Sequence, residues 1–184
     1  MHHRRSIRLK GFDYSSEGGY FITLVTHERH NLFSTLVNEK VELTGIGEIV
    51  QTNWLAIPEH FPNAELDEFV IMPNHLHGII HLFDSDCCRG TIYRAPTEYR
   101  APTTEDPRAN LEKFGQPVRG SIPTIIRTFK ASVTRDTRKV MDVEKIWQRN
   151  YHEHIIGFDH EYDAIVEYIH NNPVNWTKDD EYFP

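Results

Sequence analysis

The chain of 184 residues, 39% hydrophobic and 26% charged, carries enough apolar material for one well-cored unit and lacks the bias of disordered or collagenous sequences. A net charge of −7 and a pI near 5.9 weigh against a molecule-wide basic field, although Arg4, Arg5, Arg8 and Lys10 cluster early and Arg127, Lys130, Arg135, Arg138 and Lys139 cluster later. No run approaches the ~20 apolar residues that span a bilayer, and Cys87 and Cys88 are adjacent and cannot staple distant segments, so a cytoplasmic protein is expected.

Along the chain, GYFITLVTH (Gly19 to His27) is rich in β-branched and aromatic residues and reads as a strand. In LTGIGEIVQTNWLAI the apolar residues Ile46, Ile49, Val50, Trp54 and Ile57 recur every three or four positions, the pattern of one helix face, which Pro58 is expected to stop. ELDEFVIM and HLHGIIHLF, joined at Pro73-Asn74, read as an antiparallel hairpin. Periodicity then fails over 84–120, where YRAPTE is followed directly by YRAPTT (Tyr93 to Thr104), and a flexible surface loop is expected there. SIPTIIRTFKASVTRDTRKV has an apolar stripe of Ile122, Ile125, Ile126, Phe129 and Val133, with Arg127, Lys130, Thr134 and Arg138 on another face: a helix with a basic side. YHEHIIG (Tyr151 to Gly157) reads as a short strand. DHEYDAIVEYIHNNP reads as a last helix with Tyr162, Ile165, Val166 and Ile169 inward, ended by Pro173.

The order strand, helix, strand, strand, helix, strand, helix predicts an α+β, ferredoxin-like (RRM-like) fold. Its antiparallel sheet would be covered by helices on one face and open for a site on the other, with an extra C-terminal helix. One domain over 1–184 is expected.

Chemistry concentrates in IMPNHLHGII. Side chains two apart on a strand share a face, so His75 and His77 project together and could hold one ion. Alone, such a pair is as consistent with chance in a chain of 12 histidines. A metal-hydrolase barrel, at ~250 residues, does not fit in this length, and Ile79 stands where a histidine-triad strand needs its third imidazole. On the last helix Tyr168 and Asn172 lie at i and i+4, so a phenol and a carboxamide can point at one place. A second pair, His152 and His154, reads more simply as partly exposed histidines beside the sheet.

LDEFVIMPNHLHGII, the IIRTFKASVTR helix, IWQRNYHEHII and VEYIHNNPVNW, in that order, resemble the single-tyrosine HUH transposases of bacterial insertion sequences. The likeness is nearest to the REP-associated tyrosine transposases and runs from about Arg4 to Trp176. It implies that His75 and His77 bind Mg²⁺ or Mn²⁺, that Asn172 completes the metal site, and that Tyr168 is the nucleophile. The activity it implies is cleavage and rejoining of single-stranded DNA at hairpin-forming repeats through a 5′-phosphotyrosine, by a bacterial protein associated with the nucleoid when bound to DNA. Arg4, Arg5, Arg127, Lys130 and Arg138 are expected to contact the DNA backbone, and His154 to lie in a second shell around the metal. Two readings from other classes stay open: a non-catalytic nucleic-acid-binding module that stacks bases on GYFITLVTH, and a metal-dependent phosphodiesterase that uses water. Monomer and homodimer are both compatible with the sequence.

Overall fold

The computed structural model describes residues 12–83 and 118–182. Arg4, Arg5, the Cys87-Cys88 pair and the YRAPT repeat lie outside the described residues, as does the 84–120 segment apart from Val118, Arg119 and Gly120.

The elements in chain order are β1 (Gly18–Val25), β2 (Ser34–Val37), β3 (Lys40–Leu43), α1 (Gly45–Leu55), α2 (Ile57–His60), β4 (Ala64–Ile71), β5 (His75–Leu82), α3 (Ile122–Val140), β6 (His152–Ile156) and α4 (Asp159–Asn171). The main sheet has the order β4-β5-β1-β6, and each pair of neighbours is antiparallel. The expected ferredoxin-like α+β layout is therefore present. Strand β5, which carries the two histidines, is hydrogen-bonded on both sides, so its register is fixed by two ladders.

Strand alternation sorts residues to two cores. Tyr20, Ile22 and Leu24 of β1 and Leu76, Ile80 and Leu82 of β5 face α1 and α3, meeting Ile46, Val50 and Trp54 from one helix and Ile122, Ile125, Ile126, Phe129 and Val133 from the other. The stripe read from the α3 sequence is thus the buried one. Gly78 belongs to this face, and a Cβ there would come within 2.5 Å of Trp54 Cζ2 and 3.1 Å of Phe69 Cβ. Because Trp54 is fully buried and cannot swing aside, Gly78→Ala is expected to lower stability by about 1–3 kcal/mol, read as a fall in thermal midpoint. An unchanged midpoint would show that the α1 contact yields freely.

The opposite face is not left open. Helix α4 lies against it, with Ile169 packed on Ile79 and Ile156 and with Tyr162, Ile165, Val166, Phe21 and Val70 around them. This second core is small, and the site forms where it ends.

Two local features differ from the sequence reading. Pro58 does not end helical structure: α1 closes with Ala56 N–H donating to Thr52 O, and Pro58 sits in the first turn of α2, where its missing N–H leaves no bond unmade. The β2–β3 hairpin was not anticipated. Its two-residue connection, Asn38-Glu39, has both residues at positive φ, 51° and 63°, the geometry that matches the twist of paired strands. Among the described residues no helix is long and apolar enough to cross a membrane.

Candidate functional site

His75 and His77 emerge side by side on the α4 face of β5, with ring centroids 4.4 Å apart. Both are buried, at 0% and 3% exposure. Burial, reinforced by the neighbouring His77 imidazole, pushes His75 down to about 3, so it is a neutral lone-pair donor at physiological pH.

Tyr168 and Asn172 do converge, and their meeting point is a third residue. The Tyr168 hydroxyl donates to Asp179 Oδ2 at 2.6 Å, and Asn172 Nδ2 donates to the same oxygen at 2.6 Å. Asn172 keeps helical dihedrals (φ −58°, ψ −42°) although Pro173 follows, so the i and i+4 side chains stay on one face. His77 Nε2 lies 3.2 Å from the phenol oxygen and 3.8 Å from Asp179 Oδ2. His75, His77 and Asp179 offer ligand atoms all within 4.8 Å of one another.

Asp179 is not among the residues singled out from the sequence. It reaches the site because a short 3-10 turn, Trp176–Lys178, folds the chain back after α4, and the Glu181 N–H then donates to its Oδ1 at 2.7 Å. Burial opposes its charge, yet the contacts with His77 and Tyr168 and the Glu181 amide prevail and hold the carboxyl well below its usual range. The Tyr168 phenol moves the other way, raised by burial and then by the Asp179 carboxylate it bonds. The phenol and Asp179 open onto a groove of about 310 Å³ whose walls include Glu167, Asn175 and Lys178.

Two buried polar atoms beside this cluster have no hydrogen-bond partner: His75 Nε2 and Asn172 Oδ1. Such atoms are costly in a dry interior. An imidazole nitrogen and a carboxamide oxygen next to a second imidazole and a carboxylate make a mixed nitrogen and oxygen donor set that fits a divalent cation such as Mn²⁺ or Mg²⁺.

His154 is elsewhere. Its Nε2 donates to Glu161 Oε1 at 2.5 Å, while Glu161 Oε2 accepts from Gly157 N–H at 2.7 Å, so this exposed histidine holds the start of α4 against β6 and not the cluster. Two further ties fasten the helix to β4: Tyr162 OH donates to Asp67 Oδ2 at 2.7 Å, and His170 pairs with Glu68 at 2.9 Å. Together they set where Tyr168 points.

The α3 basic face lies behind the sheet, on the side away from His75 and His77. Lys130 Nζ donates to the carbonyls of Gln148 and Asn150 at 2.7 and 3.0 Å and sits 5.5 Å from the Trp147 ring; burial pushes its ammonium down to about 8. Arg138 donates to Glu144 O at 3.1 Å, and exposed Arg127 donates to Thr124 Oγ1 at 3.0 Å. Lys130 and Arg138 thus donate to carbonyls of the 141–150 segment. The aromatic residues of GYFITLVTH are also occupied: Tyr20 is 1% exposed, and Phe21 stacks on His77 and meets Tyr168 edge-on. Of these two rings, Tyr20 is buried under α1 and α3 and Phe21 lies against α4.

Among solved structures, the REP-associated tyrosine transposase bound to a REP hairpin aligns with 96% of this chain and 74% of its own, with a TM-score of 0.57 and 20% identity, so this chain has that transposase's fold. No protein-family model matches the sequence. An uncharacterized protein of Haemophilus influenzae is 43% identical over 182 residues, covering 99% of this chain and 94% of its own length, and this chain belongs to the same family as that protein.

Proposed function

We propose that the protein is a metal-dependent single-stranded DNA endonuclease and strand transferase that acts at hairpin-forming DNA through a tyrosine–DNA bond. The observation that carries this reading is the convergence of Tyr168 and Asn172 on Asp179 beside two histidines, one with a buried unpartnered nitrogen. The fold shared with a transposase that is bound to a REP hairpin supports the substrate class.

His75, His77, Asn172 and Asp179 would hold Mg²⁺ or Mn²⁺, and a bound ion would offset charge on the scissile phosphate and the departing 3′ oxygen. Tyr168 supplies the nucleophile. Its oxygen attacks phosphorus, the bond to the 3′ oxygen breaks, and the proton the phenol releases to solvent is matched by one taken up at the departing oxygen, which leaves as a 3′-OH. The phosphodiester energy is kept in the 5′-phosphotyrosyl link, so attack by another 3′-OH reverses the step and joins strands. Tyr162 is not placed to substitute, because its hydroxyl donates to Asp67 on β4 and not toward the two histidines.

The test is to incubate a labelled single-stranded hairpin oligonucleotide with the protein and Mn²⁺ and to look for an adduct that survives denaturation. Cleavage without an adduct would favour water as nucleophile, and tight binding without cleavage would favour a non-catalytic module. A second measurement concerns the basic residues. Arg127→Ala is expected to reduce the salt slope of DNA binding by about one, whereas Lys130→Ala is expected to lower the thermal midpoint and leave that slope unchanged. A reduced slope in Lys130→Ala would return that residue to the DNA interface.

A further inference from the structure

We propose that Asn74 is the positioning residue of the ligand set: its carboxamide oxygen decides which nitrogen of His75 is free to bind a metal, and its amide nitrogen fastens the C-terminal segment that carries Asp179. The inference rests on the metal reading above and adds a residue outside the ligand cluster. Asn74 is fully buried in the turn between β4 and β5. Its Nδ2 donates to Glu181 O at 2.8 Å and to Arg29 O at 3.3 Å. Carbonyl oxygens only accept, so the end of the carboxamide that faces them must be the nitrogen, and the oxygen must face His75.

That orientation settles the imidazole. Asn74 Oδ1 lies 2.9 Å from His75 Nδ1 and has no hydrogen to give, so Nδ1 carries the proton and Nε2 the lone pair. Nε2 makes no hydrogen bond at ordinary distance, and the Asn172 carboxamide, whose Oδ1 is also unpaired, is its neighbour. At His77 the Thr23 hydroxyl, 2.9 Å from Nδ1, can donate or accept and does not by itself choose the tautomer. The same carboxamide acts at a distance in sequence through Glu181, and the tie is doubled by the Arg29–Glu181 ion pair at 2.9 Å. The Arg29 carbonyl is presented by two successive non-glycine residues in left-handed conformation, Glu28 (φ 54°) and Arg29 (φ 57°), which a chain adopts only where surrounding contacts hold it.

The experiment uses the full-length protein, with Asn74→Ala and Asn74→Asp beside wild type and three readouts. These are the His75 tautomer from imidazole ¹⁵N shifts in metal-free protein, Mn²⁺ affinity by titration, and amide hydrogen exchange over 179–182. Wild type is expected to show His75 protonated on Nδ1. Asn74→Ala is expected to lose that preference, to bind Mn²⁺ about 10–100-fold more weakly, and to exchange faster at the C-terminal amides. Asn74→Asp keeps an acceptor for His75 but no pair of donors, so it should retain the tautomer, exchange fast at the C-terminal amides, and bind Mn²⁺ more weakly than wild type but more tightly than Asn74→Ala. A wild-type His75 protonated on Nε2 overturns the proposal. So does an Asn74→Ala protein that binds Mn²⁺ like wild type, or an Asn74→Asp protein that loses the metal as deeply as the alanine variant. Wild type without Mn²⁺ affinity would instead remove the metal reading, since the tautomer is measured without metal.

Discussion

Tyr168→Phe is expected to abolish the covalent DNA adduct and to slow strand cleavage by at least about 1000-fold. Phenylalanine keeps the ring that meets Phe21 at 6.2 Å and His77 at 5.1 Å, and removes only the hydroxyl that donates to Asp179. Because the ring is kept, the fold should stand, although the buried Asp179 carboxylate loses one donor. Metal affinity should persist, because the histidines, Asn172 and Asp179 remain. Folded protein that binds Mn²⁺ and hairpin DNA yet leaves it uncut would isolate the chemical step to one oxygen. Cleavage by Tyr168→Phe at the wild-type rate would instead assign the attack to water and leave the phenol a structural role.

His75→Ala is expected to be nearly as damaging, lowering metal-dependent cleavage by about 100-fold or more through loss of a ligand. The pairing of this variant with chelation is informative. EDTA should silence wild type to the level of His75→Ala and should change the variant little further, because both treatments remove the same ion. The variant must first be shown to be folded by its circular dichroism, since a fully buried ring is replaced by a methyl group. Undiminished cleavage by wild type in EDTA would refute a catalytic metal at this cluster.

Much of the fold could be read from periodicity, and the reason is visible in particular residues. The alternation in β5 and the stripe from Ile122 to Val133 are dictated by burial, which acts on every residue of those elements. The β2–β3 hairpin was harder to see because its turn pairs Asn38 with Glu39 in place of the expected glycine, leaving half of the usual signal. In the site, His75 and His77 pair by spacing within one strand and Tyr168 and Asn172 within one helix, and it is the resemblance to the tyrosine transposases that singles them out. Asp179 is not among them. It arrives through a 3-10 turn and a backbone bond from Glu181, and nothing in Thr-Lys-Asp-Asp-Glu distinguishes it from Asp180, its neighbour in an acidic run. The roles of Lys130 and His154 were hidden for a related reason: their partners, the Gln148 carbonyl and the Glu161 carboxylate, are defined only once the chain has folded.

The cluster joins a strand ending at Leu82 to a carboxylate at Asp179, within a few residues of the chain's last described position, Tyr182. During synthesis the two imidazoles are made first, and the phenol and Asp179 leave the ribosome only after roughly a hundred further residues, at about 5–20 residues per second. A nascent chain therefore carries a pair of histidines with neither phenol nor carboxylate beside them.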